Sequence, residues 1–118
     1  MGPAELRTGR QSHRCQTVLF LSGQVAYDAK GGAAYAGDFK AQARAALEAV
    51  KAQVEAAGGT LRDIVKVNTY LTDIRHRADY GAIREEFFGK KIPASTLVQV
   101  TGLAQPGFMI EIEAIAVL

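Results

Sequence analysis

Hydrophobic and polar positions follow two periods along this chain, and the switches between them mark out its elements. In "TVLFLSGQVAY" Val18 and Phe20 alternate with Leu19 and Leu21, which predicts a strand apolar on both faces until Ser22 and Gly23 interrupt it. Such an interruption reads as a bulge or a strand end. "DAKGG" then supplies a turn. Asp38 is a good N-cap for a helix in which Phe39, Ala43, Ala46, Leu47, Val50, Val54 and Ala57 recur at intervals of three and four, with Gly58 and Gly59 ending it. The opposite face, Lys40, Arg44, Glu48, Lys51 and Glu55, reads as solvated surface.

"IVKVNTYL" sets Val65, Val67, Thr69 and Leu71 against Ile64, Lys66, Asn68 and Tyr70, a strand with one apolar and one partly polar face. A second helix is predicted from about Asp79 to Phe88, with Tyr80, Ile83 and Phe87 inward and Gly89 as its stop. Two strands follow, "STLVQV" and "FMIEIEAIAVL", joined by "TGLAQPG", whose glycines and proline do not suit a ladder. In the last strand Phe108, Ile110, Ile112, Ala114, Ala116 and Leu118 form one apolar face, and Met109, Glu111, Glu113, Ile115 and Val117 form the other. Two helices shield only one face of a sheet of this size, so either the sheet closes on itself or a second copy of the chain covers the rest, and the pattern favours the homo-oligomer.

The length of 118 residues at 48% hydrophobic content suits one core and hence a single domain over 1–118, with residues 1–12 as a loosely held arm. Charge adds little to this picture. Lys and Arg total 14 against 12 Asp and Glu; Arg7, Arg10 and Arg14 against Glu5 carry the surplus, leaving 11 of each sign from residue 21 onward. A neutral body with a basic amino end is a weak footprint for nucleic acid. Cys15 is the only cysteine, which excludes an internal disulfide, and the absence of a signal peptide or long apolar run leads to the expectation of a cytoplasmic protein off the membrane.

Cofactor chemistry finds no support. One Cys with His13 and His76 gives no zinc-ligand spacing, and "GGAAYAG" matches neither a P-loop nor a dinucleotide fingerprint. Both histidines sit in polar, arginine-rich surroundings that suit exposed side chains. What remains is Glu111 and Glu113, two carboxylates on one face of a strand whose other residues there are apolar. A carboxylate so placed needs a partner or a polar cavity, and the plain reading is an ion pair with Lys66 or with an arginine of another subunit. "IPASTLVQV" likewise puts two hydroxyls, Ser95 and Thr96, at the start of an apolar strand, where they satisfy backbone groups or face a ligand.

Taken together, "FLSGQVA", "EAAGGTLRDIVKVNTYLTDI", "REEFF" and "PASTLVQVTGLAQPGFMIEIEAIAVL" resemble the Rid/YjgF family of reactive intermediate deaminases, also called L-PSP endoribonuclease-like proteins, from about Val18 onward. The resemblance implies an α+β, chorismate-mutase-like fold, a mixed sheet with two helices on one face, assembled as a homotrimer with small-molecule clefts between subunits and no cofactor. It implies hydrolysis of imines or enamines, such as 2-aminoacrylate, to a carbonyl product and ammonia. An arginine would hold the substrate carboxylate, backbone near a Ser-Gly pair would help seat it, and a glutamate would position water.

Carried across, the pair falls on Ser22 and Gly23 and the glutamate on Glu111. The family's Pro-Ala-Arg-Ser/Thr-Cys segment falls on Pro93, Ala94, Ser95, Thr96 and Leu97, so Ser95 stands in the arginine's place and Leu97 in the cysteine's. The family's Gly-Pro-Tyr motif is replaced by "RQSHRCQ", and its asparagine before the "FF" pair falls on Gly81. Removing one partner of a buried charge pair costs on the order of 2–5 kcal/mol, so the change at Ser95 bears directly on activity. Arg14 is a candidate replacement anchor, with Ser95, Thr96 and Leu97 as substrate-binding positions. Three readings follow: an imine hydrolase of altered preference, a non-catalytic small-molecule-binding or regulatory trimer, and RNA binding, which the neutral body argues against.

Overall fold

The computed structural model describes residues 16–118; the 1–12 arm, His13, Arg14 and Cys15 lie outside the described residues. Within them run β1 (Val18–Gln24), α1 (Phe39–Ala56), β2 (Ile64–Leu71), α2 (Arg77–Phe88), β3 (Ala94–Gln99) and β4 (Ile110–Val117). The sheet order is β1-β4-β2-β3. β4 is antiparallel to both of its neighbours, while β2 and β3 are parallel and therefore need a crossover, which α2 provides. This is the expected α+β architecture with a mixed sheet.

Local chemistry sets the helix ends. Asp38 Oδ1 accepts the Ala41 amide at 3.1 Å and opens α1, and Gly58, at φ 92°, takes the left-handed position beyond its last turn. α2 begins at Arg77, two residues before the expected Asp79, because Asp73 caps a 3-10 turn at Ile74–His76 that runs straight into it.

Both helices cover the same face. Phe39, Ala43, Ala46, Leu47, Val50 and Val54 of α1 join Tyr80 and Ile83 of α2 over Leu21, Val67, Leu71, Ile110, Ile112, Ala114 and Ala116 in one core. The register confirms the face: Ala114 pairs with Leu21 on one side and Val67 on the other, and Val67 pairs with Ser95. Fully buried Gln42 ties this layer to the loops, donating to the Ala34 and Gly107 carbonyls at 3.1 and 2.8 Å and accepting the Met109 amide at 2.8 Å. Its side chain thereby pairs backbone groups that have no ladder partner.

One face assignment is corrected. A register shift between Ile64 and Lys66 turns Ile64 inward and leaves Val65 48% exposed, so Val65 does not share the core face with Val67. Among the described residues no helix lies on the sheet's second face. Phe20 is 73% exposed there and Val18 52%, beside half-buried Ile115 and Val117.

Candidate functional site

The interruption at Ser22 and Gly23 is a bulge: Leu21 pairs with Ala114 but Gln24 pairs with Ile112, which leaves Ser22 and Gly23 outside the ladder. Glu111, on the neighbouring strand, lays its side chain against Gly23. A β-carbon at that position stands 2.8 Å from the Glu111 Cγ and 2.6 Å from its Cδ, so only glycine lets the carboxylate rest on this backbone. The sequence-predicted glutamate and Ser-Gly pair are thus brought together on the side of the sheet away from the helices.

Glu113, two residues on, is held differently. Its Oε1 accepts from Asn68 Nδ2 at 3.1 Å and from the Tyr70 hydroxyl at 2.5 Å. That hydrogen bond to the carboxylate, with some burial, raises the Tyr70 phenol above its usual range. The ion pair with Lys66 anticipated for these carboxylates is not made; Lys66 Nζ donates to Thr96 Oγ1 at 2.7 Å instead. Phe20, Ser22, Lys66, Asn68, Glu113 and Ile115 border a cleft of about 350 Å³ on this open face.

Ser95 and Thr96 part company, as consecutive strand residues must. Thr96 joins Lys66 on the open face, whereas Ser95 turns toward α2, where its Oγ accepts from Arg84 Nη1 at 3.3 Å. Leu97, opposite Thr69 in the register, is half-buried and packs against the core. The predicted residues therefore form two groups on opposite sides of the sheet: Ser22, Gly23, Glu111 and Thr96 on one, Ser95 and Leu97 on the other.

Sequence reasoning missed Arg84, Asn68 and Tyr70. Strand alternation had placed Asn68 and Tyr70 on the partly polar face, which was the available signal; Arg84 gave none, because it reads as one more charge on the polar side of a helix. His76, expected to be exposed, is half-buried, its ring stacked on Phe39 with centroids 4.3 Å apart and planes 5° from parallel. Among the described residues no three His, Cys, Asp or Glu side chains are grouped to hold a metal ion, and no helix is long and apolar enough to cross a membrane.

Comparison with known proteins agrees with this fold. The family model described as Endoribonuclease L-PSP matches residues 9–118. A RutC family protein of Pyrococcus horikoshii is 42% identical over 106 residues, spanning 90% of this chain and 83% of the relative. Among solved structures, a Mycobacterium tuberculosis member of the YjgF/YER057c/UK114 family superposes with a TM-score of 0.76 at 33% identity, covering 89% of this chain and 82% of the other. Escherichia coli TdcF with bound serine superposes with a TM-score of 0.77 at 36% identity, covering 86% and 80%.

Proposed function

This chain belongs to the Endoribonuclease L-PSP family, which takes in the YjgF/YER057c/UK114 and Rid proteins, and from that premise we propose that it is a homotrimeric hydrolase of small imines and enamines. The observation that carries the reading is the seating of the Glu111 carboxylate on Gly23, on the sheet face that exposes Phe20 and Val18 and that the helices among the described residues leave uncovered. A second copy packed on Phe20 and Val18 removes apolar surface from water, roughly 1.5–3 kcal/mol for each large side chain fully buried. It also encloses the open face on which Glu111 and Gly23 lie, turning an exposed surface into a cleft between copies.

The chemistry asked of such a cleft is modest. Glu111 accepts a proton from a water molecule as the water oxygen bonds to the C=N carbon. The π electrons move to nitrogen, which takes up a proton. Collapse of the resulting carbinolamine breaks the C–N bond and releases ammonia and the carbonyl compound. An enamine enters the same path after protonation at carbon. Each step is general acid–base catalysis by one positioned carboxylate and needs no metal or organic cofactor, and such catalysis contributes typically about 10²–10⁴-fold. The serine bound in Escherichia coli TdcF is a 2-amino acid, the class from which such imines derive. The ribonuclease reading has less behind it, since the chain carries 11 cations and 11 anions from residue 21 onward, with no basic stripe.

The test is ammonia release from 2-iminopropionate generated in situ. Wild type accelerates it, and Glu111→Gln, which keeps the side chain's shape, lowers the rate at least about 100-fold. An unaltered rate in Glu111→Gln removes the glutamate from the mechanism. A wild type without turnover replaces the hydrolase with a non-catalytic small-molecule-binding trimer.

A further inference from the structure

The geometry points to Arg84 as the group that binds the carboxylate of a small acid, in a hollow between α2 and the segment leading into β3. The hollow measures about 320 Å³ and is lined by Gly81, Arg84, Glu85, Gly89, Lys90 and Ile92. Two cations and one anion among these side chains leave one net positive charge, which suits a monoanion.

Arg84 is preorganised for this task. Tyr80, one turn earlier on α2, is fully buried with its hydroxyl 2.9 Å from Thr69 Oγ1, and the Arg84 guanidinium lies over its ring, 5.6 Å from the centroid. Ser95 holds Nη1 at 3.3 Å. The Nε–H is sealed within the protein and meets no acceptor among the described residues. Arg44 and Arg75 show what that edge of a guanidinium does elsewhere in this chain: each presents Nε and Nη2 together to a carboxylate, Glu86 and Asp73 respectively. Arg84 has no such carboxylate among the described residues, and because it lines the hollow its terminal guanidinium nitrogens are left to meet a ligand carboxylate there.

Gly81 supports the assignment. It lies within α2, where glycine is a poor helix former, yet a β-carbon there meets nothing within 4 Å, so packing does not demand glycine. A side chain at this position, one turn from Arg84, would project into the hollow it lines. Arg84 thus occupies the role that Ser95 itself lacks the charge to fill. The choice of acid rests on the hydrolase reading; binding of a carboxylate does not.

The experiment titrates pyruvate, the product acid, into the full-length protein by heteronuclear NMR, with imine turnover measured in parallel. Wild type binds saturably; Arg84→Met weakens binding at least tenfold, Arg84→Lys retains an intermediate affinity, and Gly81→Leu, which leaves the arginine in place, weakens it as well. Binding without turnover sinks the hydrolase and leaves the Arg84 assignment standing. Absence of saturable binding to wild type, or wild-type affinity in folded Arg84→Met, overturns the assignment, whatever the turnover.

Discussion

The carboxyl group of Glu111 rests on the backbone of Gly23, in the space that any other residue's β-carbon would occupy. The clashing atoms belong to the end of a flexible side chain, so Gly23→Ala is relieved by swinging Glu111 aside rather than by unfolding the bulge. The variant therefore keeps its melting temperature within a few degrees, a shift of the order of 1 kcal/mol in a domain of this size, while imine turnover falls as far as in Glu111→Gln. Thermal unfolding and ammonia release on the same preparation check both halves. Turnover at the wild-type rate would show that the close approach is incidental.

Thr69 and Tyr80 form a buried hydroxyl pair at 2.9 Å where α2 meets β2. Thr69→Val preserves shape and β-branching but leaves the phenol without its partner, which costs about 1–3 kcal/mol. The double variant with Tyr80→Phe removes both polar groups and loses less than the sum of the singles. Urea denaturation of the four proteins gives the cycle, and additive losses would mean the pair contributes no coupling.

Asp73 governs an acid-sensitive element. Its carboxylate takes hydrogen bonds from the Arg75 side chain, at 2.7 and 3.0 Å, and from the Arg75 amide at 2.9 Å, and these lower its pKa from 3.8 to about 2. Because the folded value is the lower one, the ionised form stabilises the fold above the unfolded value and that contribution disappears as pH falls from about 4 through about 2. Asp73→Asn is accordingly less stable than wild type at neutral pH, and the gap closes on acidification across that window. Denaturation midpoints at pH 7, 4 and 2.5 test this; a gap that widens toward pH 2.5 reverses the sign.

Gly81 separates function from stability. With open space around its β-position inside α2, Gly81→Ala stabilises the protein by about 0.5–1 kcal/mol. Destabilisation measured in urea would show that the helix needs glycine there for its own sake.

What could be read in advance divides along physical lines. α1 and β2 followed from strict periodicity, and the interruption at Ser22 and Gly23 from two small or polar residues inside an apolar run; the register resolves it as a bulge rather than a strand end. The exposure of Val65 did not, because a one-residue register shift flips side chains without altering the pattern that suggests the strand. Gln42 sits within the buried stripe of α1, where a polar residue ordinarily marks the stripe's edge; its role comes from loop backbones distant in sequence. At the site, Glu111 and Gly23 were legible by resemblance, and the opposite directions of Ser95 and Thr96 are implicit in strand alternation. Arg84 was hidden in the charged run "IREEFF", since its meeting with Ser95 depends on how α2 crosses the edge strand.

A working site in this proposal needs two copies of the chain, and molar mass by light scattering together with imine turnover, for wild type and for Phe20→Glu, tests that requirement. The substituted residue lies on the open face, 73% exposed in the single chain, so the charge does not disturb the monomer's core. Wild type is expected to have the mass of three chains and to turn over 2-iminopropionate, and Phe20→Glu to be a folded monomer without turnover. A folded monomer, wild type or variant, that hydrolyses the imine at the full rate would contradict it.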